Sequence, residues 1–139
     1  MNEDAPLEFE AYLGSFAGTS YGVWWDGETL VYESFEVGYE RRQQLLLSPS
    51  RAQWQRFRRS MDEIGVWGWA ARYEPAERFE PDGVVGDATY WSLSLAYAGR
   101  QVETSGDNAG PEGRDLDENP GFARLCEAVT RLLGGLQFA

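Results

Sequence analysis

The sequence predicts an α+β fold, one mostly antiparallel sheet of about six or seven strands with two amphipathic helices on one face. Three observations predict it. Short stretches alternate strictly between apolar and polar residues, as half-buried strands do. Two longer stretches instead repeat their apolar residues every three or four positions, the period of a one-sided helix. The turns between consecutive strands are too short for the crossover that parallel pairing needs, so neighbours must run antiparallel. At 139 residues, with 42 % hydrophobic and 14 % aromatic content, the chain fits a single domain over residues 1–139 with a packed core.

Each element follows from its residues. From Leu7 to Leu13, Leu7, Phe9, Ala11 and Leu13 take one face and Glu8, Glu10 and Tyr12 the other. Tyr21 to Trp25 is a second strand, and Asp26-Gly27 turns it into a third over Thr29 to Val37, because Asp-Gly tolerates the positive φ of a tight hairpin. Gln44 to Leu47 is a fourth. Ser48-Pro49 reads as a helix start, with serine as N-cap and proline at the first helical position. Trp54, Phe57, Met61 and Ile64 form the apolar stripe of that helix, and Gly65 stops it. Val66 to Tyr73 alternates again, with Trp67, Trp69 and Tyr73 on one side, and is expected to be a strand. Thr89 to Tyr97 is the clearest strand, and Ala98-Gly99 turns it into a partner over Gln101 to Ser105. Asn119-Pro120 is expected to cap a last helix with Phe122, Leu125, Cys126, Val129, Leu132 and Leu133 on its apolar face. Acidic loops occupy residues 74–87 and 106–118.

Two missing residue types narrow the chemistry. Without histidine there is no imidazole base, no Ser-His-Asp or Cys-His nucleophile system, and no histidine metal ligand. Without lysine there is no Schiff base and no P-loop lysine. All twelve cations are arginine, a bias that reads as GC-rich codon usage. Cys126, the lone cysteine, lies on an apolar helix face with no base to activate it, so it is expected to be an inert buried thiol. The acidic Met-Asn-Glu-Asp start has no signal-peptide character, and no apolar run approaches the roughly 18 residues of a membrane span. The expected compartment is the cytoplasm.

Asp115, Asp117 and Asn119 reproduce the Asp-x-Asp-x-Asn opening of a calcium loop. Pro120 then stands where glycine must allow the sharp turn, and Cys126 where a glutamate must close the site, so the stretch is read as a solvated loop. No metal and no cofactor are expected. Twenty-three carboxylates and six tryptophans would supply a glycosidase-like acid pair with stacking platforms, yet most of the tryptophans fall on apolar faces. Trp24-Trp25 is the exception, since adjacent strand residues face opposite sides and one ring must lie off the core face.

Charge is distributed unevenly. From Arg41 to Met61 there are six arginines and no acid, so the remainder of the chain, at six arginines against 23 acids, carries −17 of a net −11. Arg51, Arg58 and Arg59 are expected on the exposed side of the first helix, where they either neutralise the chain's own acidic loops or meet an acidic surface on another molecule. Together with Trp24 and Trp25 they are the candidate partner-binding residues.

Two segments carry a resemblance. Asp87, Thr89 and Trp91, followed by an alternating strand, a turn and a second strand, and then by Gly106, Asn108, Pro111 and Phe122, resemble a family of small bacterial domains. Those domains read Asp-Gly-Thr-x-Trp, then Gly-x-Asn-x-x-Pro before a C-terminal helix. Ala88 replaces the family's glycine, and residues 112–119 look like an insertion. The resemblance covers about the last 90 residues of this chain. The family carries no assigned activity, so it implies a fold and no function.

The reading these features favour is a non-catalytic protein-binding domain, immunity-protein-like or a defence accessory by analogy. The alternatives are an acidic DNA mimic that inhibits a nucleic-acid enzyme and a small carboxylate-only hydrolase. The expected partner is another protein or a second copy of this chain, with no direct nucleic-acid binding and no membrane association. The reading of residues 115–126 is checked by calorimetry. Chelator should leave the melting temperature unchanged, and a rise of several degrees on adding calcium would restore Asp115 and Asp117 as ligands.

Overall fold

The computed structural model describes residues 4–15, 18–36, 40–74, 89–113 and 116–139. Val37, Asp87, Asp115 and the acidic stretch 75–87 lie outside them, as does the side chain of Asp117. Strands β1 (Glu8–Ser15), β2 (Ser20–Trp25), β3 (Leu30–Phe35) and β4 (Arg41–Leu47) precede helix α1 (Arg51–Ile64). Strands β5 (Thr89–Tyr97) and β6 (Arg100–Asp107) precede helix α2 (Pro120–Leu132). The strands form one sheet in the order β4-β3-β2-β1-β5-β6, antiparallel at every junction. The expected α+β architecture is the one observed, with six strands where about six or seven were expected, and two helices.

Register explains why one sheet face is apolar. Phe9 lies opposite Trp25 and Leu95, Ala11 opposite Val23 and Leu93, and Leu13 opposite Tyr21 and Trp91. These residues share a face, and α1 and α2 cover it. Trp54, Phe57 and Met61 of α1 are buried there, with Leu125, Val129 and Leu132 of α2. Trp54 meets Phe9 and Trp25 edge-on at 6.3 and 5.1 Å between ring centres. The chain's end is tied down as well, because the Tyr32 hydroxyl donates to the Gln137 carbonyl at 2.6 Å and Phe138 packs on Tyr21.

Turn and cap chemistry set the boundaries. Gly27 has φ +101° in the β2–β3 turn, and the Asp26 carboxylate accepts from the amides of Thr29 (2.7 Å) and Glu28 (2.8 Å). Those bonds, Thr29 first, hold its carboxyl below the ordinary aspartate range. Helix α1 starts two residues later than Ser48-Pro49 implied. Its N-cap is Ser50, whose hydroxyl accepts from the Gln53 amide while the Gln53 side chain accepts from the Ser50 amide, a complete capping box. Gly65, with φ +77°, ends the helix as expected.

Two sequence expectations are corrected. Val66 to Tyr73 is not a strand. It begins as a 3-10 turn, Val66–Gly68, and its last residues run beside β6 through one parallel bridge, Tyr73 to Gly106, with Tyr73 N donating to Ser105 O at 2.8 Å, Ser105 N to Ala71 O at 3.1 Å and Asp107 N to Tyr73 O at 3.0 Å. Its alternating aromatics have separate partners: Trp67 packs on Tyr97, and Trp69 and Tyr73 pack on Trp91. Asn119 stands at the N-cap position of α2 but makes no side-chain bond to the helix. Its amide instead accepts from Glu112 N at 3.0 Å and donates to Gly113 O at 3.1 Å, bracing the preceding loop. The Glu112 carboxylate supplies the cap, accepting from Gly121 N at 2.9 and 2.7 Å.

Residues 106–111 hold Trp91, one of the two buried core tryptophans, in place. Asn108 takes a left-handed conformation, φ +53°, and its side chain accepts from Thr89 N at 2.6 Å. This turn presents the Ala109 carbonyl to the Trp91 indole N–H at 2.8 Å. Gly106 is required because a Cβ there would overlap both the Ala109 oxygen and Trp91 Nε1. Trp91 is 1 % exposed, so Trp91→Ala should cost about 3–5 kcal/mol in denaturant unfolding. Gly106→Ala should cost about 1–3 kcal/mol by overpacking. A loss under about 1 kcal/mol for Trp91→Ala would contradict this assignment of the strand face.

Candidate functional site

The arginines sort themselves by their surroundings. Arg41 and Arg42 lie on edge strand β4 beside Glu33 (3.7 Å) and Glu36 (3.9 Å). Arg51 pairs with Asp4, and Arg72 with Glu74 at 2.6 Å. Arg100 pairs with Asp62 at 3.0 Å, and the same carboxylate oxygen accepts from Trp67 Nε1 at 2.8 Å. Arg58 lies over the Tyr97 ring, 4.3 Å from its centre. Of the described arginines, Arg56, Arg59, Arg124 and Arg131 remain. Among the described residues, no carboxylate reaches ion-pair distance of any of the four. All four are exposed residues of the two helices.

Helix packing gathers three of them. Helices α1 and α2 pack side by side, and between them lies a shallow cleft of about 200 Å³. Phe57, Ala128 and Leu132, all buried, form its floor, and Arg56, Arg59 and Arg131 stand around it with Gln53 and Ser60. Arg56 and Arg59 occupy neighbouring turns of α1, where like charges cost the isolated helix a few tenths of a kcal/mol. Arg124 lies two turns before Arg131 on the same side of α2. Three guanidinium-bearing side chains thus border one cleft over a buried floor.

The five sequence candidates fall in different places. Arg59 is at the cleft. Arg51 and Arg58 are engaged inside the molecule, by Asp4 and by Tyr97. Trp25 points to the helix-covered face against Trp54, whereas Trp24 is on the opposite face. On that opposite face Trp24 lies between Glu10 and Val31 in register, with Leu46 beyond Val31 on β4. Tyr12 and Tyr90 continue the aromatic row at 6.3 Å between rings. Leu46 is 70 % exposed and Tyr90 46 %. Sequence reasoning missed Arg56, Arg124 and Arg131. The spacing of Arg124 and Arg131, seven apart on the last helix, was the available signal.

Other reactive groups are held inert or carry no acid pair. Burial pushes the Cys126 thiol up to about 12, the form without nucleophilic character. Burial also pushes the Tyr97 hydroxyl above the ordinary tyrosine range, offset in part by Arg58. The buried polar residues among those described are Ser20, Ser34, Thr104 and Asn119, none of them a carboxylic acid. The described residues contain no cluster of three or more acidic or cysteine side chains able to hold a metal ion, and no helix among them is long and apolar enough to cross a membrane.

Arg58 and Arg59, adjacent in sequence, should therefore behave differently. Arg58→Gln should lower stability by about 0.5–1 kcal/mol through the lost contact with the Tyr97 ring. Arg59→Gln should stay within about 0.5 kcal/mol of the parent. Equal losses in parallel thermal melts would contradict the division between an engaged and an unengaged arginine.

No protein-family model matches the chain, and no curated protein or solved structure matches it, so its function is argued from the site itself.

Proposed function

We propose that this chain is a non-catalytic domain that binds another protein through the outer surface of its two helices. The observation that carries the reading is the cleft between α1 and α2, where Arg56, Arg59 and Arg131 stand together with no carboxylate of the described residues at ion-pair distance. With 23 acids against 12 arginines, unpaired cations are not a matter of supply. Their grouping on the outer surface of two packed helices supports a contact surface whose charge steers and orients a partner. At about 200 Å³ the cleft falls below the roughly 300–1,000 Å³ of sites that enclose a small molecule. It suits one or two side chains offered by a larger partner.

The reading is tested by affinity capture from the native proteome. The full chain is compared with an Arg56→Gln/Arg59→Gln/Arg131→Gln variant whose fold is verified by near-ultraviolet circular dichroism. A partner recovered by the parent should bind the variant about tenfold or more weakly, a difference of roughly 1.4 kcal/mol. Equal affinity would remove the helix surface from the interface. A hydrolytic turnover abolished by changing two carboxylates would overturn the non-catalytic reading.

A further inference from the structure

We infer that the sheet face away from the helices binds an arginine-bearing segment of a basic protein, whose guanidinium groups lie on aromatic rings and pair with the carboxylates beside them. This surface is separate from the helix cleft. Tyr12, Trp24 and Tyr90 point to it, because Leu13, Val23 and Trp91, their neighbours in sequence, fill the core. Two glycines on the same face make room for the rings. A Cβ at Gly14 would stand 2.7 Å from the Tyr12 ring, and one at Gly22 would touch both Tyr12 and Trp24 at 4.0 Å. Tyr12 and Trp24 therefore lie low over bare backbone and stay partly exposed. Tyr90, 46 % exposed, continues the row 6.3 Å from Tyr12.

Charge selects the occupant. Register places Glu10 opposite Trp24 and Asp107 opposite Tyr90, with Glu103 two strands from Glu10 in the same row. Opposed residues of antiparallel strands stand about 4.5–5.5 Å apart at Cβ, so a ring and a carboxylate are twice offered side by side. Among the described residues, no arginine reaches ion-pair distance of Glu10, Glu103 or Asp107. A guanidinium satisfies both parts at once, stacking flat on the ring and donating to the carboxylate. The fold already contains one such trio: Arg100 lies 5.7 Å from the centre of the Trp67 ring and pairs with Asp62 at 3.0 Å. At longer range the net charge of −11 draws a basic partner in and repels nucleic acid. A neutral sugar would use the rings but not the charge.

The test titrates the full chain, isotopically labelled, with a synthetic peptide of repeated Gly-Arg-Ser, the same peptide with glutamine for every arginine, and a neutral cello-oligosaccharide. The arginine peptide should saturably shift the Trp24 indole N–H and the backbone amides around Tyr12, Trp24 and Tyr90. The glutamine peptide should bind about tenfold or more weakly. A Glu10→Gln/Glu103→Gln/Asp107→Asn variant should lose affinity for the arginine peptide several-fold. A Glu63→Gln/Glu118→Gln/Glu127→Gln variant, which removes the same charge from exposed positions elsewhere, should keep it. Equal losses in the two variants would reduce the effect to overall charge and overturn the site. Equal binding of the two peptides, or no saturable shift on this face, would overturn it too. Tighter binding of the oligosaccharide would replace the cationic occupant with a sugar. Concentration-dependent shifts of the same residues without peptide would replace it with a second copy of the chain. The helix-surface reading stands or falls separately, on the arginine variants of the cleft.

Discussion

A single buried indole organises the C-terminal half of the domain. Trp91 donates to the Ala109 carbonyl, faces Gly106 across β6, and touches Trp69, Tyr73 and Phe122 at ring-centre distances of 5.8, 6.3 and 5.2 Å. It therefore joins five parts of the chain at once: β5, β6, the 106–111 turn, the segment after α1, and the first turn of α2. The Trp91 indole is satisfied at its one polar atom, where an unpaired buried N–H costs about 1–3 kcal/mol. Gly106 and Asn108 exist to meet that condition. One removes a side chain that would collide, and the other bends the backbone so that a carbonyl arrives at the right place.

The helix cleft depends on that node. Phe122 fixes the start of α2 against Trp91, and the axis of α2 then determines where Ala128, Arg131 and Leu132 stand relative to α1. On the other helix, the capping box at Ser50 and the left-handed Gly65 fix the two ends, so Trp54, Phe57 and Met61 face the sheet and Arg56 and Arg59 do not. The cationic groove is thus a by-product of two apolar stripes satisfied against one sheet. Its arginines need no special support, since they stand on rigid helices and point into solvent.

Much of the fold was legible because its signals are local. The stripe Trp54–Phe57–Met61 and the alternation of Trp91, Leu93, Leu95 and Tyr97 each specify a buried face without reference to any other part of the chain. Val66 to Tyr73 misled because period-two aromatics were read as one pleated surface. Trp67 and Trp69 instead find different partners on β5, and backbone pairing with β6 is confined to Ala71 and Tyr73 at the end of the segment. Asn119 misled in a similar way: its residue type suits an N-cap, but loop contacts claimed its amide and Glu112 took over the helix end. The arginine run was visible as a run, yet its division was not. Arg51 is neutralised by Asp4, 47 residues away, and Arg58 is engaged by Tyr97 on β5, so only the folded chain separates them from Arg56 and Arg59.

Strand β4 has a consequence for how the molecule behaves in bulk. Among the described residues it pairs with β3 alone, and its last three residues, Leu45, Leu46 and Leu47, leave an apolar stretch on an open sheet edge. Unpaired edges of this kind template pairing between copies, and natural sheets usually blunt them with charge or a bulge. Here Arg41, Arg42 and the register shift at Ser34/Phe35 guard the first half of the edge only. Along the leucine half, the mutual repulsion of molecules at −11 works against such pairing. That colloidal protection is withdrawn as acidification brings the chain to its isoelectric point near 4.4. An apolar sheet edge without that repulsion favours edge-to-edge association between copies.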